Sequence, residues 1–378
     1  MNKPLRIAVP IHSFEPGGVE RTALALCAAW QAGGDDVAVV LGRSEGAMRD
    51  GAPALNYVLE PEPVPTASFE TLWMMVRLWR YLRRNPADVV FCSGNTYSVV
   101  LVVMKLLLGR RCPPVAIKIS NDLARRDLPG PARWAYHRWL RIQGRLLDHF
   151  VGMAGPMRGE IAHAVGVADA RITIIEDPSL GEEQFAALCA IARGRRKPTE
   201  PHFLAIGRLA GQKNFPLLLE AFAQCPVPGA RLTILGEGPE RARLERLAAK
   251  LGIAERLAMP GHCADTLPWL RDADALVMAS DYEGVPAVIL EALAAGLSVA
   301  STDCSVSMAG LLGEGRFGQL VPVGDAAALG RAMAQVLGMA FDPAAAREFA
   351  GAFRVSRAAP RYRALFQSLV ESAKAEAG

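Results

Sequence analysis

The feature that most constrains this chain is a unit that recurs along it: a short uncharged apolar run, a glycine-containing loop, then a helix. Its sharpest instance is Ala275-Leu276-Val277-Met278-Ala279, followed by Ser280 to Pro286 and then by Ala287 to Ala295. Such a run reads as a strand buried on both faces, the kind a helix-covered parallel sheet requires. Pro286 suits the first turn of the next helix, and the opening amides of that helix have no intrahelical partners. The same order opens the chain, with a strand at 5–11, a loop from Ser13 to Gly18, a helix from Val19 to Ala32 and a strand from Val37 to Leu41.

Further strands are predicted at Val89–Cys92, Val115–Ile119, Phe150–Gly152 and Ile172–Ile175, with helices at 69–84, 97–108 and 131–147. Composition shifts at Asp177 to Gly181, and residues 193–201 are charged and Pro-rich, so 177–200 reads as a linker. The pattern then resumes, with strands at 202–207, 231–235, 256–259, 275–280, 298–301 and 319–321 and helices at 216–223, 239–250, 287–295 and 325–337. A chain of 378 residues exceeds what one core usually holds. The expected fold class is therefore α/β, with two Rossmann-like doubly wound domains, 1–177 and 178–355, and a cleft between them.

Several classes are excluded. No stretch is long and apolar enough to span a bilayer. The amino terminus runs into a strand without a signal-type apolar region. Seven scattered cysteines form no zinc spacing, and their odd count fits reduced thiols in a cytoplasm. The first glycine pair, Gly17-Gly18, is not G-x-G-x-x-G, so the dinucleotide fingerprint is absent.

Charged and flexible residues gather at the strand ends. Glu283 lies in the loop before the 287–295 helix and Glu291 within that helix, both able to accept hydrogen bonds from sugar hydroxyls. As a pair alone they read equally well as a helix-start acid and an ordinary polar residue. The amides at Gly284, Val285 and Ala287 suit an anion. Arg208 and Lys213 come after the strand ending at Gly207, where a fork-shaped guanidinium and a point ammonium can together neutralise a diphosphate. Gly17 and Gly18 permit close backbone approach. Asp272 and Asp274 form an Asp-x-Asp that ends a helix and enters a buried strand, which reads as structural, and no metal is expected.

Three of these segments stand in the order of a known family. Glu283-Gly284-Val285-Pro286-Ala287-Val288-Ile289-Leu290-Glu291 resembles the Glu-x7-Glu segment of the retaining GT4 glycosyltransferases. Gly207-Arg208-Leu209-Ala210-Gly211-Gln212-Lys213-Asn214-Phe215 resembles their donor-phosphate segment, and Pro16-Gly17-Gly18-Val19-Glu20-Arg21 their first glycine loop. The resemblance spans about residue 6 to about residue 340. It implies the GT-B fold, with residues 356–378 as a helix returning to the N-terminal, acceptor-binding domain. It implies that Arg208 and Lys213 hold the leaving nucleotide diphosphate, that Glu291 holds the ribose and that Glu283 contacts the donor sugar. Gly236, in Gly236-Glu237-Gly238, and His262 would lie beside the nucleotide; read from the residues alone, the glycine turn is structural first and His262 is a surface histidine. Many members carry a histidine near residue 121. This chain has Ser120, Asn121 and Asp122 there; Asn121 and Asp122 stand as the candidates for the sugar contact, and Asp122 reads equally well as a helix cap.

The activity implied by the resemblance is that of a retaining, metal-independent hexosyltransferase with a UDP- or GDP-sugar donor and no cofactor. Other readings are a nucleotide-sugar epimerase or hydrolase, and a catalytically inert membrane-associated subunit.

Charge adds one further expectation. Residues 71–145 carry 14 Lys and Arg against three acids, in a chain whose net charge is only +4. Trp73, Met74, Met75, Trp79, Tyr81, Trp134, Tyr136 and Trp139 are interleaved with them. Basic helices with tryptophan at their edge suit an anionic membrane surface. No nucleic-acid module accompanies them. The expected acceptor is a lipid-linked or other glycan in envelope, exopolysaccharide or glycolipid synthesis. The expected location is the cytoplasm or the inner face of the cytoplasmic membrane.

Overall fold

The computed structural model describes residues 3–15, 17–62, 66–120, 123–125, 128–193 and 200–377. Two compact units form, Met1–Gly181 with Val355–Gly378, and Glu182–Arg354.

The first unit runs β1 (Arg6–Ile11), α1 (Gly18–Ala32), β2 (Asp36–Leu41), β3 (Asn56–Val58), α2 (Glu70–Arg84), β4 (Val89–Cys92), α3 (Ser98–Leu108), β5 (Val115–Lys118), α4 (Gly130–Leu146), β6 (His149–Gly152), α5 (Met157–Val165) and β7 (Ile172–Ile174). The second runs α6 (Glu182–Arg193), β8 (His202–Ile206), α7 (Phe215–Ala223), β9 (Arg231–Leu235), α8 (Arg241–Lys250), β10 (Leu257–Gly261), α9 (Leu267–Asp272), β11 (Ala275–Met278), α10 (Ala287–Ala294), β12 (Ser298–Thr302), α11 (Met308–Leu311), β13 (Gly318–Val321), α12 (Ala326–Gly338) and α13 (Pro343–Gly351). A last helix, α14 (Val355–Ala377), belongs to the first unit.

Each unit is built on a parallel sheet. The first has order β3-β2-β1-β4-β5-β6-β7 and the second β10-β9-β8-β11-β12-β13. Strands β4, β5, β11 and β12 are buried along their whole length. β4 and β11 accordingly read as unbroken apolar runs, whereas β5 ends in Lys118, paired with Asp177, and β12 carries Ser298, Ser301 and Thr302, each donating to a carbonyl. In each sheet the strand order reverses once, between β1 and β4 and between β8 and β11. Right-handed crossovers in opposite directions put α1 on one face of the first sheet and α2, α3 and α4 on the other.

Residues 182–193 were expected to be linker and instead form α6. Glu182 and Glu183 suit its first turn, and Leu188 is buried. The charged sequence just beyond it masks this apolar spacing.

The expected basic face is also smaller than the count of cations implies. Arg77 is 1% exposed, donates to the carbonyls of Leu41 and Val58, and pairs with Glu60 at 2.5 Å. Lys118 is buried against Asp177 at 2.7 Å, and Lys105 pairs with Asp148. Trp73 and Met74 are core residues. A helix carrying arginine every third or fourth residue turns one of them inward, and that one needs an internal partner.

Helix α14 is held by aromatic packing and one buried ion pair. Trp30 of α1 meets Phe366 at 5.1 Å and Phe91 of β4 at 5.3 Å between ring centroids, and Phe91 meets Tyr362 at 5.2 Å. The Trp30 indole donates to the carbonyl of Ala359, just before Pro360. Arg363 donates to the fully buried Asp35 carboxylate at 2.8 Å, and Asp35 also accepts the Leu5 amide. Replacing Arg363 with Met would strand that carboxylate. The expected cost is about 3–5 kcal/mol, read as a lower urea midpoint. An unchanged midpoint would mean that the aromatic cluster alone secures the helix.

Candidate active site

The second sheet reverses its strand order between β8 and β11, so the loops leaving these two strands lie side by side at their carboxyl ends. Ligands of doubly wound sheets bind at such a point. The loop after β8 carries Arg208 and Lys213, and the loop after β11 carries Glu283.

These loops are bonded to each other. Lys213 Nζ meets Glu283 Oε1 at 2.5 Å, and Ser280 Oγ donates to the same oxygen at 2.9 Å. Gln212 donates to the carbonyl of Tyr282, the Asp281 amide donates to the carbonyl of Gln212, and Asn214 Nδ2 donates to Asp281 Oδ1 at 2.7 Å. Asn214 also caps α7 from a left-handed conformation, φ 44°. From the other side, Thr302 Oγ1 donates to the carbonyl of Ser280 and Ser305 Oγ to that of Gly284. The Glu283 loop is thus clamped by both neighbouring strand ends. Nearby, burial first and then the Glu283 carboxylate push the Cys304 thiol up to about 12, so it stays protonated at neutral pH.

Arg208 is exposed immediately after β8. A Cβ at Gly207 would lie 3.2 Å from the Lys213 stem, so glycine there lets that stem run along the strand end. Gly284, Val285 and Ala287 are half-buried at the start of α10, with Pro286 as its N-cap. Glu291 lies on the second turn of α10, is 7% exposed, and accepts from Gln184 Nε2 of α6 at 2.9 Å.

Gly236 has φ 144°, and a Cβ there would lie 1.9 Å from the Gly207 carbonyl oxygen. Its place is set by backbone contact with the Arg208 segment. The Leu209 amide donates to the Glu237 carbonyl and the Gly236 amide to the Gly261 carbonyl, so the ends of β8, β9 and β10 are tied together. His262 is exposed just beyond β10. Asp274 accepts the His202 amide at 2.9 Å, and the Arg271 guanidinium holds the Asp272 carboxyl below its usual range.

Gly17 and Gly18 belong to the first unit, as N-cap and first residue of α1. A Cβ at Gly17 would fall 2.1 Å from a Glu20 carboxylate oxygen, whereas the space at Gly18 is open. Glu20 accepts from Tyr97 Oη at 2.8 Å. Tyr97 Oη in turn accepts the His12 amide, and the His12 ring stacks on Tyr97 at 4.4 Å. Burial pushes the His12 imidazole below its ordinary range, so it is neutral at pH 7. Neither Tyr97 nor Gln184 was legible as a site neighbour, because each meets its partner from far along the chain with no local periodicity to mark it. Asn121 and Asp122 lie outside the described residues.

A family model described as glycosyl transferases group 1 matches residues 190–350, and one described as Glycosyltransferase Family 4 matches residues 16–177. The chain belongs to the group 1 glycosyltransferases of the GT4 type. Among curated relatives of this GT4-type chain is the lipopolysaccharide core biosynthesis glycosyltransferase LpsE of Rhizobium meliloti. The two are 38% identical over 137 residues, 36% of this chain and 39% of LpsE. Another, from Campylobacter jejuni, is named N-acetylgalactosamine-N,N'-diacetylbacillosaminyl-diphospho-undecaprenol 4-alpha-N-acetylgalactosaminyltransferase. It is 32% identical over 120 residues, 32% of this chain and 33% of the relative. The matches thus span well under half the length of these relatives. The solved structure of Anabaena Alr3699/HepE in complex with UDP superposes with a TM-score of 0.76 at 16% identity, covering 96% of this chain and 100% of that one. With two Rossmann-like parallel-sheet units in the chain, this likeness makes the fold GT-B.

The packing at Gly236 generates a test. Gly236→Ala is expected to cost about 1–3 kcal/mol in urea unfolding and to weaken nucleotide binding, because the Arg208 segment must move. Gly252→Ala, at φ 68° but with open space around it, is expected to cost only about 1 kcal/mol and to leave binding unchanged. Equal effects at both positions would show that close backbone approach at Gly236 is not what matters.

Proposed function

We propose that the protein transfers a hexose from a nucleotide diphosphate sugar, UDP-linked, to a lipid-linked or other glycan acceptor in envelope or exopolysaccharide synthesis, retaining the anomeric configuration and using no metal. The observation that carries this reading is the Lys213–Glu283 contact beside Arg208 at the reversal point of the second sheet. The HepE structure with UDP supports the choice of nucleotide. The Campylobacter relative, whose name includes a diphospho-undecaprenol, supports the lipid-linked acceptor.

When the bond between sugar and diphosphate breaks, negative charge grows on the departing phosphate. Arg208, Lys213 and the amides at Gly284, Val285 and Ala287 stabilise that charge as it develops, the task a divalent cation performs elsewhere. The diphosphate takes Lys213 over from Glu283. The released carboxylate, still held by Ser280, is then available to the donor sugar. Glu291, positioned by Gln184, takes the ribose hydroxyls. The acceptor hydroxyl attacks the face the diphosphate leaves, and the leaving phosphate oxygen receives its proton.

The acceptor is met at a membrane surface. No helix among the described residues is long and apolar enough to cross a membrane. On the outward faces of α2, α3 and α4, Leu72, Leu106, Leu107, Trp134 and Ile142 are exposed, as is Phe69 at the N-cap of α2. Arg80, Arg83, Arg84, Arg110, Arg111, Arg138 and Arg145 belong to the same helices and the turn after α3. Such a surface suits reversible, salt-sensitive attachment to anionic lipid.

Incubation with UDP-sugars is expected to release UDP only when a glycan acceptor is present, with EDTA leaving the rate unchanged. Arg208→Ala, Glu283→Ala and Glu291→Ala should each lower transfer by about one to two orders of magnitude, the loss of one charge-assisted contact. Acceptor-independent conversion of the donor would replace the transferase with an epimerase or hydrolase. Strict dependence on Mn²⁺ would revive Asp272 and Asp274.

A further inference from the structure

At the amino-end edge of the first sheet, the last turns of α2 and α3 and the 3-10 turn after α3 border a cavity of about 710 Å³ that is open to solvent on one side, lined by Trp79, Leu82, Arg83, Leu107, Leu108, Arg110 and Arg111. Three of these residues are arginines and none is an acid. The neighbouring cations of α2 are already partnered, since Arg77, Arg80 and Arg84 all turn to Glu60. Arg83 instead lies over the Trp79 ring, 4.7 Å from its centroid. Arg83, Arg110 and Arg111 form no ion pair among the described residues. Leu107, which lines the cavity, is 61% exposed, and Leu106, its chain neighbour outside the lining, is 65% exposed.

Arginines at helix carboxyl ends complement the macrodipole, which accounts for some of this charge. It does not account for a cavity between them, or for two leucines side by side in water. A free phosphate would use the cations and leave the leucines without purpose. A nucleobase would need the Trp79 face that Arg83 covers. A molecule with an anionic head and a hydrocarbon tail uses all of these features.

We propose that this cavity binds the phosphate headgroup of an anionic membrane lipid, with Leu106 and Leu107 set into the adjoining acyl region. The inference rests on the membrane-surface reading above and adds a defined lipid site to it. The cavity lies at the opposite edge of the sheet from Gly17 and Gly18, so the lipid it holds anchors the first unit and is not the acceptor.

Flotation with phosphatidylcholine vesicles, with and without phosphatidylglycerol, tests this. Wild type should float only with the anionic vesicles. Arg83→Ser/Arg110→Ser/Arg111→Ser should reduce partitioning about 100-fold, Leu106→Ser/Leu107→Ser about tenfold, and Arg138→Ser/Arg145→Ser on α4 clearly less than the triple variant. Circular dichroism and the urea unfolding midpoint should be unchanged in all three, which shows that the first unit is folded, and UDP affinity, a property of the second unit, should be unchanged as well. Inorganic phosphate should not displace the vesicles beyond its ionic-strength effect. Failure of wild type to float overturns both the membrane reading and the lipid site. Flotation of wild type and triple variant alike overturns the lipid site alone. Displacement by phosphate at constant ionic strength would assign a free-phosphate site, and preferential binding of a single-stranded oligonucleotide a nucleic-acid site. Either outcome contradicts the proposal.

Discussion

The Lys213–Glu283 contact joins two loops that meet only because the second sheet reverses its strand order between β8 and β11. The chain between the two partners folds into α7, β9, α8, β10, α9 and β11. Everything local serves that meeting. Gly207 lets the lysine stem lie along the strand end, and Gly236 lets the β9 loop press on the same backbone. Ser280, Thr302 and Ser305 fix the loop that carries the glutamate. In the proposed mechanism this contact is exchanged: the ammonium goes to the diphosphate, and the carboxylate keeps its hydrogen bond from Ser280 and turns to the hydroxyls of the donor sugar.

Much of this was legible in the sequence, for a definite reason. Parallel strands covered on both faces are largely apolar, so β4 and β11 announce themselves, and the residues just past a strand's carboxyl end are where chemistry gathers. Arg208, Lys213 and Glu283 are all found at such ends. What the sequence withheld was non-local. Gln184 reaches Glu291, and Tyr97 reaches Glu20, through tertiary placement that no local spacing encodes. Helix α6 was hidden by the charged residues beyond it, and the short strand β3 by its half-buried position.

Charge counting was the least reliable guide. The excess of basic residues in 71–145 reads as one surface, yet Arg77, Lys105 and Lys118 are bound inside the first unit by carboxylates or carbonyls. What remains outward is sorted by place. Arg80 and Arg84 share Glu60, whereas Arg83, Arg110 and Arg111 gather around a cavity with leucines at its rim. Burial decides which cations can face a lipid, and burial depends on helix phase that a net charge does not contain.

The proposed chemistry requires that the reversal point of the second sheet receive a nucleotide diphosphate through Lys213. Calorimetric titration of UDP into wild type, Lys213→Met and Glu283→Gln, without divalent metal, tests this directly. UDP affinity should fall by about one to two orders of magnitude in Lys213→Met. In Glu283→Gln it should be at least as high as in wild type, because the ammonium no longer has a competing carboxylate. Wild-type UDP affinity in Lys213→Met would contradict this role for the lysine and the mechanism built on it.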